Sequence, residues 1–265
     1  MGQKAGSWFE WRDAAAYAPL LEADRSLFAW EWLRRDRNYR AAVKAALEPA
    51  GKSRASPDAA AFGLVAFEDP RLGVPNARPM WRAGVHPLVL QVERCSGSRA
   101  DDRFDLRRMS RLATFVAGEG DEHLLLSDGL RAIRLDGPRA TFSAGPACLH
   151  YLLEGLVSAE PGLRTLQRFL ALCRNGQFSR LLHPREPRAR RWIMMLRAWD
   201  ALAAGAGQRE IASELLSRSV TDPRWRSRQS SLRSQAQRLV RSAREYGSAG
   251  YRALLSDGGT SRRIS

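Results

Sequence analysis

Hydrophobic positions at helical spacing mark both ends of the chain, and short runs typical of strands fill the middle. Within residues 1–58, Ser7 and Glu10 have the S-x-x-E spacing of a capping box, which predicts a helix running through Tyr17. Asp36 is placed to cap a further helix whose apolar side chains share one face. We therefore expect a small helical N-terminal domain.

Four tryptophans lie in this short N-terminal stretch: Trp8, Trp11, Trp30 and Trp32. Large aromatic side chains clustered in a small unit favour a compact core. A docking surface for a partner protein is the alternative interpretation. Residues 48–58 are rich in Pro, Gly and Ser, which is typical of a linker.

The segment 59–147 has a different pattern, with short β-like runs separated by Gly, Pro or Asp-Gly turns. Asp128-Gly129 stands between two apolar runs, a strong hairpin signal. The charged stretch 96–110 is predicted to loop outward. The sequence thus predicts a short antiparallel sheet built from the runs 62–70, 86–93, 112–118, 122–137 and 139–145.

Helical spacing returns from residue 148, so the fold class is α+β. The predicted C-terminal helical domain covers 148–256, and 257–265 is expected to be a flexible tail. Its predicted helices are 148–157, 161–174, 187–204, 208–216 and a last helix within 225–246. In the last helix one narrow apolar stripe gathers Leu232, Ala236, Leu239, Val240 and Ala243.

Charge separates this C-terminal part from the rest of the chain. The net charge is +15, and residues 146–265 carry 21 arginines against 9 acidic residues. A folded segment with such an excess favours a polyanionic partner, of which nucleic acid is the commonest. A merely solubilising surface is the alternative.

The last three predicted helices have the pattern of a helix-turn-helix unit. The middle helix is short, Ala212 is small enough for a close crossing, and the last helix has a polar, basic face. Such a face is expected to enter the major groove of duplex DNA, with its first turns reading bases. Base contacts are expected from Ser230, Ser231, Arg233, Ser234, Gln237 and Arg238. Phosphate contacts are expected from Arg224, Arg226, Arg228, Arg241 and Arg244.

Two points about this unit stay open in the sequence. The recognition helix begins at residue 223, capped by Asp222, or at a later cap, Ser227 or Ser230. A helical bundle with solvated arginines has the same pattern. Duplex DNA is preferred to RNA because the chain has neither an aromatic strand platform nor a GxxG clamp.

Catalytic and metal sites are not supported by the sequence, so no enzyme activity, cofactor or metal is predicted. Cys148, His150, Cys173 and His183 match no zinc-finger spacing, which favours reduced, buried structural thiols. The acidic group at 101–105 lies in the charged loop, without the further acids that a metal-dependent nuclease needs. No apolar run approaches the roughly 18 residues of a membrane span, and the N-terminus lacks the apolar middle of a signal peptide, so the sequence predicts a cytoplasmic protein without membrane contact.

Segments near both ends of the chain resemble known bacterial domain families. "REIASELL" (209–216), Trp225, "LRSQAQRLVRSA" (232–243) and "GYRALL" (250–255) resemble a bacterial C-terminal domain family, and residues 11–40 look like its small companion domain. Together they resemble excision activators of integrative and conjugative elements, with Ala249-Gly250 replacing an expected Gly-Gly pair. The resemblance implies a DNA-binding transcriptional activator of excision genes, controlled by a small anti-activator protein. RNA polymerase is a further candidate partner.

A non-enzymatic module that binds proteins through its tryptophan-rich N-terminus, and never touches DNA, is the competing hypothesis. Binding to nucleic acid should depend strongly on salt, whereas such protein docking should not.

Overall fold

The computed structural model describes residues 10–46, 55–96, 99–217, 230–248 and 250–256. Helices lie at both ends of the described chain and a sheet lies between them, so the α+β prediction is confirmed. The α-helices are α1 (Arg25–Leu33), α2 (Arg37–Ala46), α3 (Pro57–Ala60), α4 (Ala159–Asn175), α5 (Ala189–Ala203), α6 (Gln208–Leu215) and α7 (Ser230–Gly247). Short 3-10 helices span Ala15–Glu22, Ala100–Asp102, Leu106–Met109 and Gly250–Leu254.

The N-terminus departs from the predicted capping-box helix. Ser7 lies outside the described residues, and the chain turns at residues 11–14 before the 3-10 helix Ala15–Glu22. The Glu10 carboxylate accepts a hydrogen bond from the backbone of Arg12 at 3.2 Å, and Asp13 accepts one from Ala15 at 2.9 Å. These side-chain bonds compete with the helical ladder and make a turn instead.

Asp36 caps α2 as the sequence predicts. Its carboxylate accepts backbone hydrogen bonds from Asn38 at 2.6 Å and from Tyr39 at 3.1 Å. Tyr39 and Val43 are buried on the inner side of this helix. The cap therefore fixes where α2 begins, and the apolar side fixes how it packs.

The sheet has the strand order β2-β3-β4-β1-β5, with β1 (Val89–Cys95), β2 (Ala113–Ala117), β3 (Asp121–Ser127), β4 (Ala132–Pro138) and β5 (Cys148–Leu152). The β3–β4 hairpin turns at Asp128-Gly129, as predicted. The sheet is mixed rather than wholly antiparallel, because β1 pairs in parallel with β4. Its other pairings are antiparallel.

Two of the predicted β-like runs are not strands. Residues 62–70 form turns and one isolated bridge, Leu64↔Trp81. Residues 139–145 also turn, because the Glu122 carboxylate accepts hydrogen bonds from the backbone of Ala140, Phe142 and Ser143. Those N–H groups are thereby satisfied by a side chain instead of a neighbouring strand.

The predicted helix 148–157 is wrong, since Cys148–Leu152 is the edge strand β5. It completes the sheet by pairing antiparallel with β1, with Tyr151 opposite Val92. The run "CLHYL" alternates, and Leu149 is buried while His150 is exposed. A five-residue alternation carries too little information to separate a strand from a helix by pattern alone.

The largest hydrophobic core is shared between the two ends of the chain. It includes Trp11, Trp30 and Trp32 from the N-terminal segment, together with residues of α5 and α7. The predicted tryptophan core is thus confirmed for these three residues, whereas Trp8 lies outside the described part. A second core lies between the sheet and α4, where Phe169 and Leu172 are buried.

Among the described helices, none is both long and apolar enough to cross a bilayer. The domain boundaries 1–58, 59–147 and 148–256 stay predictions, and the predicted tail 257–265 lies outside the described residues.

Candidate nucleic-acid interface

Helix α7 packs on the two helices that precede it, α5 and α6. Ala236, Val240 and Ala243 form its buried stripe, with Leu232 and Leu239 half-buried beside them. Ala236 packs with Ala212 of α6, and both are fully buried. The small residue predicted at the helix crossing is therefore present on both helices, which lets their backbones approach closely.

The end of α7 is anchored by aromatic residues. A Cβ atom added at Gly247 would lie 2.6 Å from the Trp199 ring of α5, so only glycine fits this approach. The Tyr246 and Trp32 rings have centroids 5.7 Å apart. Beyond the helix, Tyr251 and Leu254 are buried in the shared core. These contacts fix the orientation of α7 relative to the rest of the chain.

The opposite side of α7 is open to solvent and rich in hydrogen-bond donors. At 100° per residue, Ser231, Ser234, Arg238 and Arg241 form its outermost stripe. The exposed face of α7, as we use the term, consists of Ser231, Arg233, Ser234, Gln235, Gln237, Arg238, Arg241 and Arg244.

The predicted site residues are only partly described. Ser231, Arg233, Ser234, Gln237, Arg238, Arg241 and Arg244 are exposed, as the sequence predicts. Ser230 is the first residue of α7. Arg224, Arg226 and Arg228 lie outside the described residues, as do Trp225 and the candidate caps Asp222 and Ser227. The exposure is confirmed for seven positions, whereas their DNA contacts stay predictions.

The electrostatics of this face favour an anionic partner. Among the described residues, no carboxylate lies within ion-pairing distance of Arg233, Arg238, Arg241 or Arg244. Glu245 is exposed near the end of the helix. Guanidinium groups held in water can exchange their counterions for phosphates at little desolvation cost.

A buried ionic cluster, which the sequence did not indicate, joins α1 to α5. It consists of Tyr17, Glu31, Arg34, Arg35 and Asp200. Arg35 donates to the two oxygens of Asp200 from Nε and Nη2, each at 2.8 Å. The Tyr17 hydroxyl donates to the same carboxylate at 2.6 Å. Arg35 also donates from Nη1 to Glu31, whose pairing with Arg34 completes the cluster.

In this cluster, the neighbouring charges shift the pKa values of Glu31 and Arg35 in the direction opposite to the effect of burial. Burial alone would raise the pKa of Glu31, but Arg35 and Arg34 hold that pKa below its usual range. Burial alone would lower the pKa of Arg35, but Asp200 and Glu31 raise it. Burial, followed by the charge of Asp200, raises the pKa of the Tyr17 hydroxyl. Glu31 and Arg35 are therefore charged at neutral pH, and Tyr17 is a neutral donor.

No metal centre is indicated in the described parts of the chain, where no group of three or more His, Cys, Asp and Glu side chains is arranged to hold an ion. Cys148 and Cys173 do not lie on one helical surface, because Cys148 belongs to β5. The prediction that Cys148 and Cys173 are buried residues is wrong, since Cys148 is half-buried and Cys173 is exposed.

Comparison with known families adds two matches. Residues 158–256 match a family described as "T6SS, Transcription factor, DNA binding domain". Residues 10–64 match one described as "Proteobacterial transcriptional regulator-like domain". The matches indicate a DNA-binding transcriptional regulator, and the exposed face of α7 lies inside the DNA-binding match. Neither the curated proteins nor the solved structures compared with this chain give a match.

Proposed function

We propose that this chain is a sequence-specific transcriptional regulator that reads duplex DNA with the exposed face of α7. The observation that carries the proposal is that α7 has one buried side and one side open to solvent. One side is locked into the core by Ala236, Val240 and Ala243. The other presents arginine, glutamine and serine to solvent inside a segment that matches a DNA-binding family. A rigid helix with a free donor-rich face suits major-groove reading.

The roles of individual side chains follow from position along α7 and from chemistry. Arginine can donate two hydrogen bonds to a guanine edge, and glutamine can pair with adenine. Arg233, Gln237 and Arg238, together with Ser230, Ser231 and Ser234, are proposed to contact bases. Arg241 and Arg244 lie further along the helix and are proposed to hold phosphates, as are Arg224, Arg226 and Arg228 before it.

The arrangement of α5, α6 and α7 supports a helix-turn-helix as the structural basis of this reading. α6 is short, Gln208–Leu215, and α7 packs on both preceding helices. In such units the middle helix crosses the DNA backbone and the last helix enters the major groove.

The biological role that we propose is narrower than the family matches. The sequence resemblance favours an activator of excision genes of an integrative mobile element, working in the cytoplasm without catalytic activity. A small anti-activator protein and RNA polymerase are the proposed protein partners. Each of these finer assignments depends on the resemblance rather than on the geometry of α7.

The competing function, protein docking through the N-terminal tryptophans, is disfavoured by their burial. Trp11, Trp30 and Trp32 are at most 2% exposed, and the rings contact the shared core rather than solvent. A docking surface needs aromatic area that a partner can reach.

Selection of bound duplexes from a random DNA library by the full-length protein tests the proposal. The full chain is required because a fragment starting near residue 146 would expose the core that α5 and α7 share with α1. The expected result is enrichment of one site, bound at least about 10³-fold more tightly than unrelated DNA. Failure to enrich any site would remove sequence-specific reading, and salt-independent protein capture would favour the docking hypothesis.

A further inference from the structure

We infer that Cys95 and Cys148 form an oxidative modification site, in which a hydroperoxide converts the two thiols into a reversible cross-strand disulfide. The two residues are direct partners in the antiparallel β1–β5 ladder. Side chains of directly opposed residues lie on the same face of a sheet, with Cβ atoms about 4.5–5.5 Å apart. The thiols are therefore neighbours although 53 positions separate them in the sequence.

The backbone geometry is close to what a disulfide needs. Opposed residues of an antiparallel pair have Cα atoms about 4.5 or 5.5 Å apart, and disulfides span Cα distances of about 4.4–6.8 Å. The Cβ atoms must approach by about 0.7–1.7 Å to reach the mean disulfide spacing of about 3.8 Å. Cys95 ends β1 and Cys148 begins β5, so this pair is the last of the β1–β5 ladder.

Access and contact also favour this pair. Both residues are half-buried, so a small oxidant can reach the sulfur atoms. The thiols interact directly through a hydrogen bond, and this bond, followed by burial, raises the pKa of Cys95. The oxidation is therefore expected to be faster at alkaline pH, where the thiolate forms. Cys173 differs because it lies on α4 and not opposite another cysteine in the sheet; the residue is exposed, and desolvation of its sulfur raises its pKa to about 11.

The reaction balances with the hydroperoxide as the two-electron oxidant. The thiolate of one cysteine attacks the peroxide, the O–O bond breaks, and a sulfenic acid and water form. The second thiolate then attacks the sulfenic sulfur, which forms the S–S bond and releases a second water. In total, two thiols and hydrogen peroxide give one disulfide and two waters. Thiol reductants reverse the step.

Peptide mapping of the full-length protein tests the site. The reduced protein is treated at pH 8 with hydrogen peroxide, the remaining thiols are alkylated, and the digest is analysed by mass spectrometry. We expect one intramolecular link between the peptides that contain Cys95 and Cys148, with Cys173 alkylated. The oxidised protein should also melt about 5 °C or more above the reduced protein, because the link closes a long loop in the unfolded chain.

Matched variants separate this site from general thiol oxidation. Cys173→Ser should leave both the link and the Tm shift intact, whereas Cys95→Ser and Cys148→Ser should each remove both. The inference is overturned if all three thiols remain alkylatable, if the mapped link contains Cys173, or if oxidation joins two chains instead.

Discussion

Arg35 and Asp200 form a buried two-bond ion pair that connects the N-terminal helices to α5, the helix on which α7 rests. The atoms Nε and Oδ1, and Nη2 and Oδ2, are each 2.8 Å apart. The side chains of both residues are at most 3% exposed. Removing one member of a buried pair leaves the other charge without compensation, which costs more than the pair itself contributes.

Asp200→Asn is therefore expected to lower the free energy of unfolding by about 3 kcal/mol. The amide keeps the size of the side chain but removes one of the two carboxylate charges that face Arg35. Urea denaturation of the full-length protein measures the change. Glu160→Gln is the matched control, because its exposed pair with Arg164 should contribute less than about 0.5 kcal/mol. Equal losses in both variants would contradict the role of the buried pair.

Acid should destabilise the protein through the same cluster. The folded-state pKa of Glu31 is lowered, so its stabilising contribution is complete above the ordinary pKa near 4.5 and is lost as pH falls through the lower folded value. We expect the urea midpoint of the wild type to fall steeply below about pH 4.5, and that of Glu31→Gln to start lower and fall less steeply. Parallel pH profiles in the two proteins would show that Glu31 is not responsible.

Ala212→Leu is expected to displace α7 from its packing position on α6. The side chain faces Ala236 at a fully buried crossing, where added methylene groups cost about 1–3 kcal/mol. DNA affinity should fall more than the loss of stability explains, because the exposed face of α7 changes its position. Ala203→Leu, at an exposed position of α5, is the control and should leave both quantities near the wild-type values. Unchanged DNA affinity in Ala212→Leu would mean that the crossing does not position the reading surface.

Local signals in the sequence predicted the helices that pack as amphipathic units. The stripe of α7 and the Asp36 cap of α2 are visible because each depends on residues within a few turns. The exposed arginines of α7 followed from the same periodicity.

Features that depend on distant partners were not predictable. β5 exists because β1 offers an unpaired edge, and the parallel β1–β4 pair needs a crossover that no short run encodes. The cluster around Arg35 brings together side chains 165 positions apart. Glu122 turned a predicted strand into a turn by bonding to its backbone. In each case tertiary contacts, rather than local propensity, determine the structure that forms.

Base reading by α7 predicts a selective loss in two variants. Gln237→Ala and Arg238→Ala should each reduce discrimination between the selected site and a scrambled duplex by about 1–3 kcal/mol. Circular dichroism should be unchanged, because both side chains are exposed. Arg174→Ala on α4 is the control with the same charge change, and it should keep full discrimination. A similar loss in Arg174→Ala would point to net charge rather than base contacts.

The salt dependence of duplex binding by full-length wild type and Arg241→Ala, measured by fluorescence anisotropy, tests most directly whether α7 contacts DNA. The wild-type log affinity should fall linearly with log salt concentration. Arg241→Ala should bind every sequence more weakly, with a slope shallower by about one unit, while the slope of Arg174→Ala stays that of the wild type. A wild-type affinity that does not change with salt, or identical slopes for all three proteins, would contradict the account.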